Sequence, residues 1–295
     1  MSQVAETISA LPAFDMDAAP ISTETVTLAV RDLNAVTAFY RDVLGLSVLS
    51  HDAARAVLGT DRRALVELIA RPGITPRDPR QAGLFHTAFL LPDRADLGRW
   101  LVHAAGLGVR LHGASDHLVS EAVYLADPEG NGIEIYADRT PDHWTDADGA
   151  IQMATLPLDL DDLVRAAAGT RWTGLPEGGR VGHVHLQVGA IDPAEDFYAD
   201  LLGFDVAAKS AQALFFGTGG YHHQLAGNIW NSRGAGRRPD DAAGLERVTL
   251  RVADAATLQA IAARTGATPA TLANGATALD LTDPWGTQLR LVTRR

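Results

Sequence analysis

The residues best suited to chemistry lie between positions 117 and 134: His117, Tyr124, an Asp127-Pro128-Glu129-Gly130 turn and Glu134. Glu134 sits inside the apolar stretch 132–136. The two-residue period of a strand places Ile133 and Ile135 on one face and Glu134 with Tyr136 on the other. A carboxylate in so apolar a strand needs a partner, because burying an unpaired charge is costly. A metal ion is one such partner. Other positions could complete its ligand set. In 84–90, His86 shares a strand face with Ala88 and Leu90; in 181–186, His183 and His185 share the face opposite Val184 and Leu186. Two imidazoles and one carboxylate on one side of an ion leave three coordination positions open, the facial arrangement of non-haem iron(II) oxygenases.

Composition narrows the choice of metal and partner. The 295-residue chain contains no cysteine, so any metal has only nitrogen and oxygen ligands. That donor set suits iron(II), manganese or zinc. A net charge of −11 argues against nucleic acid and anionic membranes as partners. No apolar run is long enough to span a bilayer. The first twenty residues lack a secretory pattern, so 1–22 reads as an extended arm and the default location is cytoplasmic. Hydrophobic content of 46% and charged content of 21% fit a globular chain, long enough for two domains.

The elements that must position these residues repeat. The strand at Thr25 and the Phe39-Tyr40 to Gly45 helix end return at His183 and at Phe197-Tyr198 to Gly203. The Asp127-Pro128 turn returns at Asp283-Pro284, at nearly the same offset, a little over half the chain. A constant offset indicates tandem duplication. Each half divides again into a short strand, a helix and three more strands. The expected fold is α+β, with four βαβββ modules at 23–70, 84–138, 181–231 and 245–293. These make an N-terminal domain (23–140) and a C-terminal domain (181–295). The Pro-bearing linker 141–180 has room for a short helix over 159–168. His183 is preferred over His185 as a ligand because it aligns with His86 of the parallel module.

The spacing from His117 through Tyr124 to Glu134 closely resembles the signature of the type I extradiol ring-cleavage dioxygenases of the vicinal oxygen chelate superfamily, in particular the catechol 2,3-dioxygenase group. Ser115 departs from it, standing where those enzymes usually carry Gly or another small or apolar residue. The resemblance covers nearly everything from residue 22 on. It implies curled sheets in which paired modules form cups, with metal ligands on the first and fourth strands of modules. It places His183, His86 and Glu134 on the three ligand positions of Fe(II), with Mn(II) as the alternative. Modules one and four offer Thr25, Arg247 and Arg290 at the corresponding places and so look vestigial. The site must then be built by modules two and three, within one chain or across a subunit contact of a possible homo-oligomer. The resemblance further implies extradiol cleavage of a small aromatic diol by O2. His223 would be the acid–base group, and Tyr124 and His117 would orient the substrate. His222 and His223, read as neighbours on the last strand of module three, would point to opposite faces, with His223 aligned with Glu134. Asn228 and Trp230 could line the pocket mouth, with packing favoured for Trp230. Arg233, Arg237 and Arg238 could attract an acidic substituent, although a solvated loop is the preferred reading. A glyoxalase-type isomerase or lyase using His223 as a fourth ligand, and a metal-free small-molecule-binding protein, are the competing readings.

Overall fold

The computed structural model describes residues 13–293. Four copies of one unit follow in chain order. The first comprises β1 (Ile21–Val30), α1 (Leu33–Asp42), β2 (Ser47–His51), β3 (Arg55–Thr60) and β4 (Arg63–Ala70). The second comprises β5 (Gly83–Leu91), α2 (Arg94–Gly106), β6 (Gly113–Asp116), β7 (Ser120–Ala126) and β8 (Gly132–Asp138). A connection containing α3 (Leu160–Ala166) leads to β9 (Arg180–Gln187), α4 (Ile191–Glu195), β10 (Asp205–Lys209), β11 (Ala213–Gly217) and β12 (Leu225–Asn228). The last unit is β13 (Gly244–Val252), α5 (Ala255–Thr265), β14 (Ala270–Thr271), β15 (Thr277–Thr282) and β16 (Gln288–Thr293).

Local sequence explains the helices. Asp32, Asp93, Asp159 and Asp254 each accept a backbone N–H three residues on, capping α1, α2, α3 and α5. Each such cap contributes about 1 kcal/mol. In α1, Leu33, Val36 and Tyr40 are buried at the spacing that makes one helical stripe.

Two curled eight-stranded sheets result, and each draws one unit from each sequence half. One has the order β14-β15-β16-β13-β1-β4-β3-β2; the other runs β10-β11-β12-β9-β5-β8-β7-β6. The second sheet carries every candidate ligand, so modules two and three meet within one chain. At its centre β5 pairs antiparallel with β9, and each pairs in parallel with the last strand of its own unit. Thr23 of β1 stitches the sheets together by donating to the carbonyls of Val181 and Gly182, at 2.8 and 2.9 Å.

The start of the chain differs from the extended arm expected over 1–22. Residues 1–12 lie outside the described residues. Residues 13–20 turn back, burying Met16 against Val119, Trp144 and Tyr221. Asp17 lies among Arg63 of β4, Arg180 of β9 and Arg251 of β13. Among the described residues, no helix is long and apolar enough to cross a membrane.

Candidate metal centre

The site is built on alternation. Ile133 and Ile135 of β8, with Val184 and Leu186 of β9, enter the main core. Glu134 and the pair His183 and His185 therefore face the other way, into the cup. His86 joins them from β5. One ligand atom each from His86, Glu134 and His183 lies within 4.8 Å of the others. His86 Nε2 is 2.9 Å and His183 Nε2 3.2 Å from the same oxygen, Glu134 Oε2. His86 Nε2 is buried yet lacks hydrogen-bond alignment with any partner. An atom brought this close without the geometry of a hydrogen bond fits a lone pair aimed at a shared ion. The donor set also fits a facial two-histidine, one-carboxylate centre.

Electrostatics favours the ligand forms. Burial opposes ionisation of Glu134, but His183 and His86 beside it hold its carboxyl well below the usual range. Burial keeps His183 below its ordinary value, against the pull of Glu134. Burial, reinforced by neighbouring histidines, does the same more strongly for His185 and His223. A neutral His183 ring and an ionised Glu134 carboxylate are forms that a divalent cation binds.

His185 has a different occupation. Its Nε2 lies 3.0 Å from Asn228 Nδ2, which donates to it. Asn228 thus holds a ring instead of lining the cavity. The His185 ring packs at 5.1, 5.3 and 5.8 Å from Phe85, Trp230 and Phe215, forming an aromatic wall. Phe85 reaches the cup beside its neighbour His86 because the β5–β9 register shifts between Leu84 and His86. Trp230, expected mainly to pack, lies on the rim and is 48% exposed.

His117 and Tyr124 form one hydrogen-bonded unit. His117 Nδ1 is 2.6 Å from the Ala154 carbonyl and Nε2 is 2.7 Å from Tyr124 Oη. A carbonyl only accepts, so Nδ1 carries the proton and Nε2 accepts from the phenol. Burial, with Glu134 nearby, pushes the Tyr124 phenol well above its ordinary value, so it stays protonated. Next to His117, Leu118 adopts a left-handed φ of 68°, which costs an L-residue roughly 1–2 kcal/mol. Bonds from Leu118 N to Asp116 and from His117 N to the Ser120 carbonyl hold this turn.

His222 and His223 depart from expectation in position. β12 begins at Leu225, so both precede the strand in an irregular segment. Nor does His223 share the register of Glu134. Glu134 pairs with Ala88 on β5, and the corresponding pairing on β9 joins His185 to Ala226. His223 nevertheless lines the cup, its ring 4.2 Å from that of His183. Behind it runs a chain. His223 Nδ1 is 2.8 Å from His222 Nδ1, and His222 Nε2 is 2.8 Å from Asp138 Oδ1. Tyr221 donates to the other Asp138 oxygen at 2.8 Å and accepts from Tyr136 at 2.9 Å. Asp138 had a readable signal, since positions 134, 136 and 138 share one strand face. The pairing of His222 with Asp138 had none.

These residues enclose a cavity of about 460 Å³ lined by the candidate ligands, His117, Tyr124, His223 and the aromatic wall. The linker contributes Met153, Ala154 and Thr155. Among the described residues, no lysine or arginine lines it. Arg237 pairs with Asp240, and Arg238 is spent on the carbonyls of Ala243 and Leu245.

The other sheet has an ion-paired carboxylate at the corresponding place. Glu67 pairs with Thr27 on β1 as Glu134 pairs with Ala88 on β5, and Arg247 stands opposite Thr27 as His183 stands opposite Ala88. Arg55 and Arg247 bind the Glu67 carboxylate at 2.6 and 3.2 Å. There a guanidinium supplies the positive charge.

Comparison with known proteins identifies the family. The family model of the Glyoxalase/Bleomycin resistance protein/Dioxygenase superfamily matches twice, at residues 23–135 and 180–291. The chain is 41% identical over 228 residues to a catechol-2,3-dioxygenase of Bacillus subtilis, covering 76% of this chain and 80% of that protein. It is 35% identical over 124 residues to a biphenyl-2,3-diol 1,2-dioxygenase of Rhodococcus globerulus, covering 40% of this chain and 65% of that protein. Its fold resembles that of glyoxalase I from Zea mays, with a TM-score of 0.58, 16% identity and 93% of each chain covered.

Proposed function

The chain belongs to the Glyoxalase/Bleomycin resistance protein/Dioxygenase superfamily, and from that premise we propose that it is an extradiol dioxygenase that cleaves a catechol-type diol with O2. His86, Glu134 and His183 hold the metal, which is iron(II), with manganese(II) the alternative. The observation that carries this reading is the convergence of two buried imidazoles and one buried carboxylate within 4.8 Å. The relationship to a catechol-2,3-dioxygenase supports it. When bound, the metal supplies sites for both adjacent substrate oxygens and for O2, and a route for electrons between them.

The protein's own residues supply position and protons. Tyr124 stays protonated and donates its O–H to His117 Nε2, so its oxygen lone pairs accept from the substrate hydroxyl before that hydroxyl ionises. The Ala154 carbonyl fixes the His117 tautomer that makes this possible. His223 is the acid–base group. Asp138 accepts from His222 Nε2–H, so His222 Nδ1 accepts from His223 Nδ1–H. That leaves His223 Nε2 with a lone pair for a substrate proton. Asp138 and His222 act through His223 and are positioning residues. Ala226, standing at the register position that corresponds to Glu134, supports a three-ligand centre over a closed four-ligand one.

Anaerobic loading with iron(II), followed by a catechol and air, is expected to consume oxygen and give a yellow ring-opened product. Metal-loaded protein inactive across a broad catechol panel would overturn the proposal.

A further inference from the structure

The cup discriminates among diols by what surrounds the ring, and the surroundings divide sharply. The candidate ligands, Tyr124 and His117 lie together, with the His86 and Tyr124 rings 5.6 Å apart. The His185 side is aromatic. Phe85 and Trp230 rings meet at 5.2 Å, both pack on His185, and Phe215 bridges His185 and His223. Met153 and Ala213 also line the cavity. Asn228 donates to His185 Nε2 at 3.0 Å and holds that ring in the wall.

Size and charge then point the same way. A cavity of about 150 Å³ is enough for a benzene ring, so 460 Å³ leaves room for a sizeable substituent. Among the described residues, Glu134 is the one Asp, Glu, Lys or Arg lining the space, and in the proposed centre its charge is committed to the metal. A carboxylate on the substrate, away from the metal, would meet no lysine or arginine among the lining residues, and an unpaired buried charge is strongly disfavoured. The arginines of the 231–241 segment offer no remedy, since none lines the cavity.

We infer that the substrate is a catechol bearing an uncharged apolar substituent, alkyl or aryl, seated against Phe85, Phe215 and Trp230, and that carboxylated catechols are rejected. This rests on the catechol reading above. The test compares kcat/KM of the iron-loaded protein for catechol, its 3- and 4-methyl, ethyl and phenyl derivatives, and 3,4-dihydroxybenzoate. Calorimetric binding of the same compounds to zinc-loaded protein supplies a readout independent of turnover. In at least one substituent series, affinity and kcat/KM should rise about fourfold per buried methylene, the equivalent of roughly 0.8 kcal/mol. The carboxylated compound should fall about a hundredfold below catechol. Trp230→Ala and Phe215→Ala should flatten the rise, and Met153→Arg should recover carboxylate binding. Equal or better use of 3,4-dihydroxybenzoate, or no gain from any apolar substituent, would overturn the inference while leaving catechol cleavage standing. Failure of every diol to bind or react would instead overturn the catechol reading itself.

Discussion

Asp138 shows how a single residue outside the cup can matter to its chemistry. It touches neither the cavity nor the candidate ligands, yet it sets the proton order along His222 and His223. Asp138→Asn keeps the shape and removes the charge. The expected result is a fall in kcat of about tenfold or more, from the range that general acid–base groups supply. KM and metal content should be nearly unchanged. Steady-state kinetics with metal analysis would check this, and a parallel loss of bound metal would mean the residue is merely structural. Much at this scale was legible. Glu134, His86 and His183 stand out because a strand's alternation forces a face on each. Phe85 was hidden by a register shift that puts two successive residues into one cup. His222 and His223 were misplaced because a period-two argument has no force in an irregular segment.

At the scale of elements, close approach decides how the ligand strands can lie. A Cβ on Gly182, next to His183, would run into the Tyr136 hydroxyl. Tyr136 packs at 4.9 Å from the His183 ring and feeds the Asp138 network through Tyr221. Gly182→Ala should therefore cost about 1–3 kcal/mol, as overpacking does, and weaken metal binding. Adding Tyr136→Phe, which removes the colliding oxygen, should restore part of both. Denaturant midpoints and metal titration would measure this; a neutral Gly182→Ala would refute the packing argument. The four modules were readable because their strand, helix and turn signals recur. That modules two and three build the site together followed from where the ligands fall; whether they meet within one chain did not, since an edge strand can pair with its own chain or with another. The second sheet, where Arg55 and Arg247 hold Glu67, shows the same scaffold stabilised by guanidinium groups.

For the whole molecule, the turn at 13–20 ties both sheets together through Asp17. Nothing in the sequence pattern signalled this, because the three arginines come from distant strands. Burial alone would raise the Asp17 pKa, but Arg180, Arg251 and Arg63 hold it far below the usual carboxylate range. A depressed native pKa means that the contribution to stability is complete above the unfolded value of about 3.9 and is lost as pH falls below it. Asp17→Asn should lower stability by about 1–2 kcal/mol at pH 7, between the values for exposed and buried pairs. The gap from the parent should shrink below about pH 4. Thermal unfolding of both proteins from pH 7 to pH 3 would check this, and a gap independent of pH would contradict it.

The central claim is that one ion is held by His86, Glu134 and His183, with the carboxylate and both imidazoles bonded to it. Anomalous diffraction at the iron edge from crystals grown anaerobically with iron(II) tests it most directly. The account predicts one anomalous peak per chain, within bonding distance of those three side chains and bounded by Tyr124 and His223. A peak ligated by His185 in place of His183, a peak beside Glu67, or no peak in the cup of metal-saturated protein would contradict it.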